Sequence, residues 1–161
     1  MSEVSIYMTG KHKDIDNKFI NTERAVAQNN WIDAEKLWKE FINELDLHMK
    51  AEEDILFPEF EQETGMTNGP TMILRLEHKQ IYNLTDKLKQ AIQDHNARDY
   101  QNFFKLLAKL MQQHNIREEQ VIYPLSAQTL PDTGMTIERI ERIYRSNGVK
   151  PTLGHHKAGS M

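Results

Sequence analysis

His48-Met-Lys-Ala-Glu-Glu-Asp-Ile-Leu-Phe-Pro58 and His114-Asn-Ile-Arg-Glu-Glu-Gln-Val-Ile-Tyr-Pro124 are the same pattern written twice, H-x-x-x-E-E-x-[IV]-[LI]-[FY]-P, 66 residues apart. A second pair keeps the same offset. His12-Lys-Asp-Ile-Asp-Asn17 and His78-Lys-Gln-Ile-Tyr-Asn83 both read H-K-x-I-x-N. Self-similarity at one fixed offset marks a duplicated structural unit. In each copy a lone His precedes the His-x-x-x-Glu by 36 residues, so each copy is a helical hairpin with a His on its first arm and a His and a Glu on its second.

The residues around these segments follow a helical period. The spacing predicts a helix from Thr9 to Gln28, with Ile15, Phe19, Ile20 and Val26 on one side. A second runs from Ile32 to Phe57, with Pro58 ending it or lying just beyond its last turn. Glu63 to Pro70 is dense in turn formers and reads as a loop. Pro70 suits the first position of a third helix reaching His95 and carrying Ile73, Ile81, Leu84, Leu88 and Ile92. Asp99 is a candidate cap for a fourth, which ends near Tyr123, before Pro124. Four long helices with short links form an antiparallel up-down four-helix bundle, an all-α fold with an internal two-fold repeat. A short fifth helix is expected over Thr136 to Arg145, closed by Gly148 and Pro151, and Val149 to Met161 reads as a mobile tail. The division is then 1–130 for the bundle and 131–161 for the C-terminal helix and tail.

Composition excludes several classes. The 24 acidic side chains outnumber the 20 basic ones, for a formal charge of −4, so there is no basic excess to neutralise nucleic-acid phosphates. The chain has no cysteine, which removes disulfide scaffolds, thiolate metal sites and a thiol nucleophile, and fits the cytoplasm. No apolar stretch approaches the length of a membrane span, and the first residues lack the layout of a signal peptide.

On a helix, residues four apart stand one above the other. His48 and Glu52 therefore share a face, as do His114 and Glu118, and the apolar residues on those faces (Phe41, Leu45, Ile55 and Leu56; Leu107, Met111, Val121 and Ile122) turn them into the bundle. Glu53 and Glu119 are swung round and expected to face away. A carboxylate buried without a partner costs several kcal/mol, and two metal ions between the helices resolve both copies. Four imidazoles (His12, His48, His78, His114) with two carboxylates (Glu52, Glu118) suit a pair of iron ions; manganese or zinc is compatible with the same donors. The expected arrangement has Glu52 and Glu118 bridging, His12 with His48 on one metal and His78 with His114 on the other, and one open position per metal once an oxide or hydroxide bridges the pair.

These segments resemble the hemerythrin-like, or HHE cation-binding, domain over His12 to Pro124. The resemblance implies an up-down bundle around a non-haem di-iron centre. It also implies a function among oxygen carriers and sensors, or among stress-response proteins including those that repair iron–sulfur clusters. Ferritin-type bundles use Glu-x-x-His instead, and the residues three before the four His are Thr9, Leu45, Arg75 and Met111. Oxygen carriers place a further His four residues after the third-helix His, where this chain has Tyr82, and an Asp five after the fourth-helix His, where it offers Glu118 at four. Four His and two Glu are thus closer to the repair and sensing branches. Tyr82 becomes the candidate catalytic side chain, as a hydrogen-bond donor or phenolate; the alternative is a packing aromatic with its hydroxyl in water.

The leading function is a di-iron protein that binds or reacts with oxygen, peroxide or nitric oxide in oxidative or nitrosative stress, or in repair of iron centres, with peroxide or nitric oxide turnover as its enzymatic form. Its partners are then small ligands, with no nucleic acid and no membrane. The alternatives are a non-catalytic iron or oxygen sensor signalling through the C-terminal segment, and a metal-free structural bundle. Trp31, Trp38 and Phe41 read as core, Glu77 as either a neighbour able to tune His78 or part of a solvated face, and His155 and His156 as tail residues.

Overall fold

The computed structural model describes residues 2–148 and is helical throughout. The expected tail, with Pro151, His155 and His156, lies outside the described residues. Helix α1 spans Glu3–Ala27, α2 Trp31–Ala51, α3 Phe57–Thr64, α4 Pro70–Gln93, α5 Ala97–Arg117, α6 Tyr123–Thr129 and α7 Thr133–Ser146. One π-turn, Glu52–Leu56, joins α2 to α3, and another, Glu118–Ile122, joins α5 to α6. The bundle therefore has four long arms, two of them continued through a π-turn, with α7 added at one end.

Helix α1 pairs with α2 and α4 with α5, and the hairpins meet along α2–α4 and α1–α5. Both hairpin turns are built alike, again 66 residues apart. Asn29 and His95 take the left-handed conformation (φ 56° and 51°), and the N–H groups of Asn30 and Asn96 return to the carbonyls of Ala25 and Ala91 at 2.9 and 2.8 Å. The side chains of Asn30 and Asn96 then accept from the N–H of Asp33 and Asp99. Asn96, not Asp99, is thus the cap of α5; the Asp99 N–H is the orphan that it satisfies. At the other end of the chain, α1 begins six residues earlier than expected because Ser2 accepts from Ser5 N and starts it.

Pro58 and Pro124 do not end their helices. The N–H of Phe57 reaches the carbonyl of Glu52, and that of Tyr123 reaches Glu118, five residues back. These wide turns restart the helix, so each proline sits in a first turn where its missing N–H is no loss. Two apolar clusters flank the centre: one around Phe19, Phe41, Leu88 and Leu107, the other around Leu56, Phe57, Ile122 and Tyr123. Ile20, Ile73 and Val121 are exposed rather than core. Helix α7 buries Ile140 and Tyr144 against α1, α2 and the first π-turn. It is tied down by Thr136, which donates to Glu59 at 2.7 Å, and by an Arg139–Glu59 ion pair.

Replacing Asn96 by Ala removes the α5 cap and should cost about 1 kcal/mol in chemical denaturation; an unchanged midpoint would show that the turn does not depend on it.

Candidate metal centre

The structure brings His12 from α1, His48 from α2, His78 from α4, His114 from α5 and the two π-turn glutamates Glu52 and Glu118 to one place between the apolar clusters. The imidazoles are at most 3% exposed and both glutamates 0%. Two four-residue groups form, His12, His48, Glu52 and Glu118, and Glu52, His78, His114 and Glu118; in each, one ligand atom per residue lies within 4.8 Å of the others. Both carboxylates belong to both groups. The inward contacts are His12 Nε2–Glu118 2.8 Å, His78 Nε2–Glu52 3.2 Å, His114 Nε2–Glu118 3.3 Å and His48 Nε2–Glu52 3.4 Å. Nε2 of His48, His78 and His114, one oxygen of Glu52 and one of Glu118 are buried with no hydrogen-bond partner among the described residues. Orphaned donors of this kind cost roughly 1–3 kcal/mol each. Nitrogen and oxygen lone pairs aimed at a common centre suit a cation.

A second ring of acids supports the imidazoles, and here the expectation for Glu53 and Glu119 is corrected. They do not face away. Glu53 accepts from Nδ1 of His78 at 2.6 Å and Glu119 from Nδ1 of His12 at 2.7 Å. Each acid serves a His of the other hairpin, across a helix–helix boundary that a single-helix projection does not contain. Glu77 accepts from Nδ1 of His114 at 2.8 Å and from Arg117 Nε at 2.8 Å. The repeat breaks at the fourth position. Lys11 stands where Glu77 stands in the other copy, its ammonium lies 3.9 Å from the ring centre of Tyr144 on α7, and Nδ1 of His48 has no hydrogen-bond partner among the described residues.

The aromatic position before each proline breaks the repeat again. Phe57 stacks on His78, and Tyr123 lies beside His12, with centroids 5.7 and 5.6 Å apart. The Tyr123 hydroxyl lies 2.7 Å from Glu52 Oε2, 3.0 Å from Glu118 Oε1 and 3.1 Å from His12 Nε2. Sequence reasoning missed Tyr123; the Phe-for-Tyr mismatch inside the repeated motif was the available signal. Tyr82 is placed elsewhere. It is 37% exposed and lines the outer groove between α2 and α4 together with Asp46, whose carboxylate, after burial, pushes its phenol up.

The Hemerythrin HHE cation binding domain matches residues 6–126. The chain belongs to this family. Comparisons with curated proteins and with solved structures found no match. No helix among the described residues is long and apolar enough to cross a membrane.

Electrostatics inside this hemerythrin-like domain favour charge pairs in the metal-free chain. Burial opposes imidazolium, but the carboxylates outweigh it. Glu52 and Glu118 together push His48 up to about 9, and Glu118, Glu77 and Glu52 push His114 up to about 10; His12 and His78 move the same way. Glu118 is held well below the usual carboxylate range: its own burial works the other way, but His114 and the hydrogen bonds around it prevail. Burial and the two neighbouring carboxylates push the Tyr123 phenol well above its ordinary value, so it stays a neutral donor.

The sign of the pH dependence follows from linkage. Raised imidazole values stabilise the metal-free fold fully below about pH 6.5, and that stability is lost as pH rises through about 9 and about 10. The depressed Glu118 acts oppositely, its contribution fading only in acid. Melting temperature of the chelator-treated domain should therefore fall steadily from neutral pH toward pH 10. A flat profile there would mean that the imidazoles are not protonated in the folded, metal-free chain.

Proposed function

We propose that His12, His48, Glu52, His78, His114 and Glu118 hold two transition-metal ions, with His12 and His48 serving one, His78 and His114 the other, and both glutamates shared. Iron is the metal of this reading; manganese and zinc suit the same donors. The domain then binds or reacts with oxygen, peroxide or nitric oxide, in cytoplasmic defence against oxidative or nitrosative stress or in repair of iron centres. The observation that carries this is the sharing of Glu52 and Glu118 between two buried donor groups, each glutamate with an oxygen left unpartnered.

Bound iron would supply redox chemistry and an open position for a small ligand. The chain's own residues do the rest. Glu53, Glu77 and Glu119 accept the Nδ1 protons of His78, His114 and His12, so each ring turns Nε2 inward and gains basicity. Tyr123 holds a proton at Oη beside both shared carboxylates, on the His12 side only. Phe57 offers an apolar ring on the His78 side, making the two halves chemically unequal. The flanking apolar clusters exclude water. A sensing role is the second reading, favoured by α7: its Tyr144 covers Lys11, the residue next to His12.

Anaerobic iron loading should give two irons per chain, followed by distinct visible spectra on exposure to nitric oxide, peroxide and air in turn. Glu52→Ala and Glu118→Ala should each lose the paired metal, whereas Glu53→Gln should weaken binding by about tenfold through His78 alone. Two irons retained in Glu52→Ala with unchanged spectra would refute the shared-carboxylate arrangement. Tyr123→Phe should keep both irons, shift the spectrum of the oxidised centre and make its two sites more alike. Identical spectra would reduce Tyr123 to packing.

A further inference from the structure

Duplication gives the bundle two outer grooves, and the two are not treated alike. The α1–α5 groove has a volume of about 400 Å³ and the α2–α4 groove about 370 Å³. The repeat sets Asp16, Ala108 and Gln112 of the first against Tyr82, Ile42 and Asp46 of the second. In the α2–α4 groove Tyr82 of α4 faces Asp46 of α2 across the cleft. In the α1–α5 groove, a short acid and an amide take those places, and Ala108 replaces the bulkier Ile42.

Deeper in, a cavity of about 10 Å³ lies against the imidazoles of His12, His48 and His114, room for about one water-sized molecule. Met111 and Asn115 line both this cavity and the α1–α5 groove. The residues lining the α2–α4 groove do not touch the cavity. At the repeat position of Asn115 stands Met49, 2% exposed, which lines the cavity but not the α2–α4 groove. The charged residues lining the α1–α5 groove are Asp16 and Glu119, both acidic.

We propose that the α1–α5 groove is the passage by which a small uncharged diatomic, nitric oxide or dioxygen, reaches the metal centre. Met111 and Asn115 form its neck, whereas the matching groove on the other side shares no lining residue with the cavity. The flexible thioether of Met111 can swing to let a diatomic pass, and the acidic mouth disfavours anions. The proposal takes its destination from the metal-centre reading, while the path itself is a property of the packed chain.

Two variants obstruct the passage. Ala108→Trp fills the groove, and Asn115→Met gives the neck the residue of the other copy; Ile42→Trp fills the opposite groove as a control. In the reduced, iron-loaded protein, both obstructing variants should slow nitric oxide association about tenfold in stopped flow, with iron content and spectrum unchanged, while Ile42→Trp should not. Asp16→Asn should raise the azide-to-nitric-oxide ratio of association rates, and an unchanged ratio would strike out the charge selectivity. In the metal-free chain, dissolved dioxygen should enhance relaxation of the Met111 methyl group, and Ala108→Trp should suppress that enhancement while Ile42→Trp leaves it. Undiminished rates in both obstructing variants, equal slowing by Ile42→Trp, or a Met111 methyl indifferent to Ala108→Trp would overturn the proposal. If the chain takes up no iron, the proposed function fails, and the methyl measurement alone decides the passage.

Discussion

Two carboxylates with no exposure to solvent sit at the centre of this bundle, and every ion-pair partner that Glu52 and Glu118 have among the described residues is a histidine. No lysine or arginine answers them. Removing two charges from water costs several kcal/mol apiece unless positive charge replaces the lost hydration. Only two sources of positive charge fit the surroundings: protons on four imidazoles, or cations bound among them. Without metal the site leans toward the first solution: the carboxylates raise the imidazoles, and the imidazoles hold Glu118 down. The second solution replaces those protons, so metal uptake and proton release are two faces of one balance.

The π-turns are where the fold serves this constraint. Both begin at the shared glutamates, and both precede the prolines that a continuous α-helix would not tolerate. Each wide turn sends one acid inward and the next acid sideways to a histidine of the other hairpin. The hairpins are thereby coupled at the centre as well as through their apolar faces. Where the duplication has diverged, it has done so around the same centre: Tyr123 against Phe57, Glu77 against Lys11, and a groove that shares Met111 and Asn115 with the central cavity against one that shares no residue with it. The outcome is a symmetric donor set in an asymmetric environment.

Much of this was legible in the residues. The 66-residue offset of His and Glu revealed two hairpins, and the four-residue spacing put His48 with Glu52 and His114 with Glu118 on common faces, as the structure shows. The helical period located the four arms and the short fifth helix. What escaped was whatever depends on a neighbouring helix. Glu53 and Glu119 look outward on an isolated helix and find their partners only across the bundle. Tyr82 occupies an informative position in the motif, yet its helix turns it toward Asp46. Tyr123 is the phenol that reaches the carboxylates, because it follows the π-turn rather than a regular one. Proline normally reads as a stop, and only the i to i−5 bonding of Phe57 and Tyr123 allows the helices to run past it. The capping asparagines followed the same 66-residue offset and could have been read from it.

The central claim is that six side chains from two repeats hold a metal pair between shared glutamates. Diffraction from crystals of the iron-loaded chain, recorded at the iron absorption edge, tests this most directly. The account predicts two anomalous peaks about 3.5 Å apart, one beside His12 and His48 and one beside His78 and His114, with Glu52 and Glu118 reaching both. A single peak, or iron found only at the surface, would contradict it.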